Sequence, residues 1–213
     1  MDKPPSMRDM QYNKAYLNAR ELLLNPTSMT VQEFKKVVKV LYIQGPSQVN
    51  KTSLAECIIG PNREVDTVYH TKKFWSGVEG SKIALYHNWR CSDMQPGEFV
   101  RFIDYARHSM NIRGSSRRNN YELIIITSVE KLRGIYRNTK EREHKLQWER
   151  RCEVIDLYSR KKSTYESDEF YNARLVRMDK SEDEIAAEDA LVRARDRKVN
   201  EDDETLLSCS SDS

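Results

Sequence analysis

The residues best equipped for chemistry lie in one short run, Gly45-Pro46-Ser47-Gln48-Val49-Asn50-Lys51-Thr52. A glycine-led loop ending in Lys-Thr can capture a polyphosphate. Main-chain N–H groups of the loop and of the following helix start point at the anion. Lys51 adds a point charge near the β- and γ-phosphates, and Thr52 offers a hydroxyl to Mg²⁺. The usual pattern is G-x-x-x-x-G-K-[ST], and here Asn50 replaces the second glycine. That position tends to need unusual backbone, and Asn is among the non-glycine residues most tolerant of positive φ. The motif is weakened but kept. An ordinary strand–turn–helix whose helix merely begins Lys-Thr remains the bland alternative.

Such a loop needs a strand before it and a helix after it. Val40-Leu41-Tyr42-Ile43 reads as a short buried strand, and Lys51 to Ile59 as a helix closed by Gly60-Pro61. Further strands are expected at Val65 to His70, Lys82 to Tyr86, Leu123 to Ile126 and Glu153 to Tyr158. Apolar runs without alternation suit strands buried on both faces, as in a parallel sheet. Helices are expected at residues 7–24, Val31 to Val38, Gly97 to Arg107 and Lys140 to Arg151. A further helix could form over Glu184 to Lys198. The expected fold is α/β: a P-loop NTPase with a central, mostly parallel sheet flanked by helices. The expected organisation is an N-terminal helical segment (1–37), a P-loop domain (38–162), and an acidic, largely disordered tail (163–213).

The net charge of +3 hides a split. From Ser163 onward there are 15 acidic and 7 basic residues; Met1 to Lys162 carries 18 acidic and 29 basic. A basic body with an acidic arm suits a polyanion partner, although plain soluble surface would look the same. No run of 18 apolar residues exists, so no membrane partner is expected. The N-terminus leads into charged residues and does not read as a secretory signal. Cys57, Cys91, Cys152 and Cys209 form no CxxC pair, which argues against a zinc site or a disulfide framework. Reduced thiols in an intracellular protein are the plain reading.

From the loop onward, five places in order carry a family resemblance. They are the loop Gly45 to Thr52 after a strand; Lys73-Phe74-Trp75-Ser76-Gly77-Val78-Glu79-Gly80; the strand Ile83 to Tyr86; Ile112-Arg113-Gly114-Ser115; and Ile124-Ile125-Ile126-Thr127-Ser128 followed by Tyr136. Their order and spacing over about Val38 to Tyr158 resemble the superfamily 3 helicase domain of viral replication-associated (Rep) proteins. The likeness is to circovirus-like single-stranded DNA viruses and the related viral RNA helicases. The resemblance implies ATP with Mg²⁺ as cofactor, single-stranded DNA as partner, and a homo-oligomeric ring such as a hexamer. It also implies a location in the host nucleus or cytoplasm. Arg150 and Arg151 fall where the family has paired arginines, and either could act as an arginine finger across a subunit boundary. A charged helix end would look the same.

The departures bear on catalysis. Where the family has two acidic residues after its third strand, this chain has His87 and Asn88. Neither supplies the anionic oxygen that Mg²⁺ prefers. Where the family has a water-orienting sensor Asn, this chain has Val129. Phosphoryl transfer rests on positioning and electrostatics, so these losses together should remove most turnover. Asp93, six residues beyond His87, is the substitute carboxylate to consider. The nuclease half of a Rep protein is not expected. His70, His87, His108 and His144 are far apart, and the roughly 40 residues before the loop are too few for a further domain.

Arg107, Arg113, Arg117 and Arg118 cluster in a predicted hairpin or loop and could meet phosphates without reading sequence. Trp75, Trp89 and Trp148 are expected to pack rather than to stack on bases. The reading preferred is a nucleotide- and nucleic-acid-binding protein with weak or no ATP hydrolysis. An active viral replication helicase and a non-catalytic interaction protein with a relic loop are the alternatives.

Overall fold

The computed structural model describes residues 30–71, 73–137 and 142–180, and residues 184, 187 and 190. The helix expected at 7–24 lies outside them, as do most of 184–198 and the acidic end. In chain order the elements are α1 (Val31–Phe34), β1 (Lys39–Gln44), α2 (Lys51–Ile59), β2 (Asp66–Thr67), β3 (Tyr69–Thr71), β4 (Phe74–Ser76) and β5 (Ile83–Tyr86). Then come α3 (Pro96–Phe102), β6 (Ser109–Ile112), β7 (Ser115–Arg118), β8 (Leu123–Ser128), a 3-10 turn (Leu132–Gly134), α4 (Arg142–Arg151), β9 (Cys152–Asp156) and α5 (Asp168–Asp179).

Five strands form one sheet in the order β2-β5-β8-β1-β9, every neighbouring pair parallel. The apolar runs explain why. Alternate residues of β1 enter different cores: Val40 and Tyr42 join one cluster, Leu41 and Ile43 the other. Ile124 and Ile126 of β8 share the first cluster, and Ile125 the second. A strand that must be apolar on both faces needs helices on both faces. The first face is covered by Phe99 and Phe102 of α3 and Trp148 of α4, the second by Leu54, Ala55 and Ile59 of α2. Each such side chain contributes on the order of 1.5–3 kcal/mol by leaving water. The α/β expectation with a mostly parallel, helix-flanked sheet is met.

A second sheet, ordered β3-β4-β6-β7, closes one flank of the first core through Trp75 and Met110. The single strand expected at Val65 to His70 is thus two. Asp66–Thr67 pairs with β5, and Tyr69–Thr71 turns away to pair with β4. Between the sheets, buried Asp66 accepts hydrogen bonds from the N–H groups of Glu79, Gly80 and Ser81 and from the Tyr121 hydroxyl. Gly77 is required beside it: at φ 73°, an added Cβ would sit 1.9 Å from the Thr67 carbonyl oxygen.

The tail boundary at 163 needs correction. Residues 163–180 belong to the folded body. Tyr165, Phe170 and Met178 pack on the second core, beside α2. The anchor is an ion pair between Arg174 and Glu166, both side chains fully buried, with Nε–Oε1 at 2.6 Å. Arg174 also donates to the carbonyls of Ser159 and Lys161, at 2.8 and 3.2 Å. Ser167 caps the helix by accepting from the Phe170 N–H. Hydrophobic periodicity alone does not announce this segment, because its fully buried anchor is a charged pair.

Candidate functional site

β1 is the second strand from one edge, and its carboxyl end opens directly into the loop 45–50. The connections after β1 and β8 leave in opposite directions, the first toward β2 and the second toward β9 on the far side of β1. Such a reversal opens a crevice at the strand ends, the usual ligand position in open α/β sheets. A cavity of about 260 Å³ lies there, lined by Ser47, Gln48, Asn50, Lys51, Thr52, Ser53, Asn88 and Val129.

Local geometry explains the loop. Gly45 continues the ladder by donating to the Ser128 carbonyl. A Cβ at Gly45 would stand 2.8 Å from Leu157 Cβ and 3.1 Å from Val49 Cγ2, so only glycine fits. Pro46 follows it and Val49 is buried beneath. Gln48 and Asn50 both have left-handed backbone, at φ 66° and φ 58°. Asn50 is the N-cap of α2, yet its side chain makes no capping hydrogen bond. Its amide therefore serves the backbone angle, and the first amides of α2 keep no cap from it.

Lys51 is 7% exposed. Its ammonium donates to the Gly45 carbonyl at 3.0 Å and to the Pro46 carbonyl, folding the loop around itself. Burial lowers its pKa to about 8, with the charge of Arg90 a second cause. The ammonium is thus still largely protonated at neutral pH, in a place where an anion would be welcome. Arg90 was missed in the sequence because no motif marks it; only its charge acting on Lys51 does. Ser53, also on the cavity wall, was missed for the same reason.

Of the degenerate positions, Asn88 and Val129 line the cavity and His87 does not. Asn88 is exposed, at φ 50°, with its N–H on the Thr127 hydroxyl. Asp93 lies off the cavity wall: its carboxylate accepts from the Tyr86 hydroxyl at 3.2 Å and the Arg90 N–H at 3.0 Å. No carboxylate lines the cavity among the described residues. The Lys51 ammonium and the hydroxyls and side-chain amides on the wall are groups that can donate to phosphate oxygens. For Mg²⁺ the wall offers only neutral oxygens, the Thr52 hydroxyl among them. A larger cavity of about 740 Å³ adjoins through Val129, with Glu130, Lys131, Tyr136 and Arg137 on its wall.

The arginines expected to hold nucleic acid do form a hairpin, β6–β7, turning at Gly114 with φ 80°. They do not share one surface. Met110 faces Arg117 across the hairpin, and Met110 is buried, so Arg117 lies on the core side, where Nη1 donates to the Glu79 carbonyl at 2.8 Å. Arg118, paired with exposed Ser109, takes the opposite side. Arg113 is exposed at the tip. Arg107 donates to the Glu33 carbonyl and thereby ties α1 to the hairpin base.

Arg150 and Arg151 end α4 just before β9. β9 is parallel to β1 and five residues long, so they stand about 16 Å from the loop end of the sheet. Arg151 is held by Asp104, Nη2 to Oδ1 at 3.1 Å, and lies over the Tyr105 ring. Arg150 is exposed, its Nε donating to the Leu146 carbonyl. Trp75, Trp89 and Trp148 are buried at 2% exposure or less, as packing residues. The described cysteines, Cys57, Cys91 and Cys152, are free thiols. Among the described residues no helix is long and apolar enough to cross a membrane.

No protein-family model matches the sequence, and no curated protein matches it. The likeness to superfamily 3 helicases thus rests on the motifs alone.

Proposed function

We propose that this protein binds a nucleoside triphosphate on the loop Gly45 to Thr52 and nucleic acid on the hairpin, on a Rep-like superfamily 3 scaffold, with weak or no hydrolysis. The observation that carries the reading is the backbone of Asn50. A left-handed residue between loop and helix, with Lys51 folded onto the first loop carbonyls, is the backbone that a cradle of main-chain donors backed by one cation requires. Opposite them stand an amide and an isopropyl group, Asn88 and Val129, where a motor would need an anion and a water-orienting amide. Mg²⁺, when bound with ATP, neutralises phosphate charge; Thr52 is the residue that would meet it. Lys51 and the loop amides bind and orient the phosphates. Among the described residues no carboxylate stands on the cavity wall to accept a proton from water.

For nucleic acid, Arg113 and Arg118 are the contacts and Arg107 and Arg117 the supports. A single strand of DNA is the partner that the resemblance suggests. If subunits assemble, Arg150 can serve a neighbour's loop but not its own, because the sheet separates the two.

The test measures ATP binding and ATP turnover side by side, with and without single-stranded DNA, in wild type and Lys51→Ala. The reading expects binding that depends on Lys51 and turnover far below helicase rates. Turnover of about 1 per second or faster that single strands stimulate would establish a motor instead. Absence of any binding would reduce the loop to a relic.

A further inference from the structure

Helix α5 reaches back to the phosphate loop. Arg177 Nη1 donates to the Gln48 carbonyl at 2.9 Å, across 129 residues of sequence. Gln48 is one of the two left-handed residues on which the loop's shape depends. Such backbone costs free energy in a non-glycine residue and persists only where its surroundings fix it. The surroundings here include α5, whose register is set by the fully buried Arg174. Arg174 and Arg177 are three residues apart and so lie on neighbouring positions of the helix surface. The buried anchor therefore aims the next arginine at the loop. Among the described residues, the hydrogen bond of the Arg177 guanidinium is to that one carbonyl.

We propose that Arg177 is a positioning residue for the phosphate loop. Pinning the Gln48 carbonyl pre-shapes the cradle, and it makes the docking of α5 and the binding of a triphosphate mutually supporting. The second half rests on the phosphate-loop reading; the first does not. A loop already held in its bound shape pays less ordering cost on binding. Linkage then requires the converse: a bound triphosphate must tighten α5.

The experiment is amide hydrogen exchange on the full chain, first without ligand, in wild type, Arg177→Ala, Arg177→Lys and Arg160→Ala. Arg160 is the control, since it pairs with Asp179 of the same helix at an exposed position. Arg177→Ala should speed exchange at residues 48–51 by roughly fivefold, the value of one ordinary hydrogen bond. Arg177→Lys should recover most of the protection and Arg160→Ala should leave it unchanged. Inorganic triphosphate is then added. It should slow exchange along residues 168–179 in wild type and bind about fivefold more weakly to Arg177→Ala. Unchanged loop exchange in Arg177→Ala, or equal loosening by Arg160→Ala, overturns the positioning role whatever the ligand does. A loop loosened by Arg177→Ala in a protein that binds no triphosphate supports the positioning role and overturns the phosphate reading.

Discussion

Position 50 offers a clean perturbation. Asn50 stands at φ 58°, ψ 37°, close to the centre of the left-handed region, and its side chain makes no capping hydrogen bond. Truncating it therefore changes the backbone preference and little else. Alanine at this angle is disfavoured by about 1 kcal/mol relative to glycine, and asparagine falls between them. Glycine relieves the strain but widens the unfolded ensemble, an opposing effect of about 0.5–1 kcal/mol. Asn50→Gly is thus expected to match wild type within about 0.5 kcal/mol. Asn50→Ala should lose about 1 kcal/mol, and Asn50→Val about 2 kcal/mol because a branched Cβ crowds the carbonyl. Urea unfolding gives the three differences, and a 1 kcal/mol loss should appear as about 2–4 °C in Tm. Nucleotide affinity should follow the same order, with glycine equal to or tighter than asparagine. A protein in which alanine is as stable as glycine at position 50 would refute the left-handed cap and the cradle built on it.

Further expectations concern the site and its supports. The pKa of Lys51, lowered to about 8 by burial and then by Arg90, makes triphosphate affinity fall as pH rises through 8, and Arg90→Ala should move that fall upward; calorimetry across pH reads both. The stability effect has the opposite sign: between about 8 and 10.5 the unfolded chain binds more protons at Lys51, so that residue's contribution becomes more favourable with rising pH. Removing one member of the buried pair, by Glu166→Gln or Arg174→Ala, should cost about 3–5 kcal/mol in urea unfolding. Asn88→Asp places a carboxylate on the cavity wall and should tighten ATP binding with Mg²⁺ but weaken it in EDTA, as isothermal titration would show. Arg113→Ala should weaken single-stranded DNA binding evenly across sequences and lower the salt slope by about 0.7, read by fluorescence anisotropy.

The parts legible in the sequence were those set by local chemistry. Helix α2 begins at Lys51 and ends at Ile59, the limits read from the chain, because a loop and a Gly-Pro pair bound it. The doubly buried strands announced themselves as unbroken apolar runs. What escaped depends on distant partners. Helix α3 ends at Phe102 and not near Arg107, because Ala106 leaves to bridge Lys35. Helix α1 stops at Phe34 for the same reason. The inward turn of Arg117 follows from hairpin register, which a run of Ser-Ser-Arg-Arg does not reveal. Helix α5 was hidden by composition. Half of its residues are polar or charged, and beside the packing of Phe170 and Met178 its anchor is Arg174 with Glu166, a pair that reads as solvated charge until the fold buries it. The link from Arg177 to the loop was hidden with it.

Phosphate oxygens are received, on this view, by the main-chain amides from Ser47 to Ser53 with the Lys51 ammonium behind them, the Gly45 N–H being held in the sheet by the Ser128 carbonyl. Amide chemical shifts of the uniformly ¹⁵N-labelled full chain, titrated with inorganic triphosphate, test it residue by residue. Saturable shifts concentrated in Ser47 to Ser53 and Asn88, abolished in Lys51→Ala, are expected. Shifts confined to the arginines of the β6–β7 hairpin, or none in the loop at saturating ligand, would contradict it.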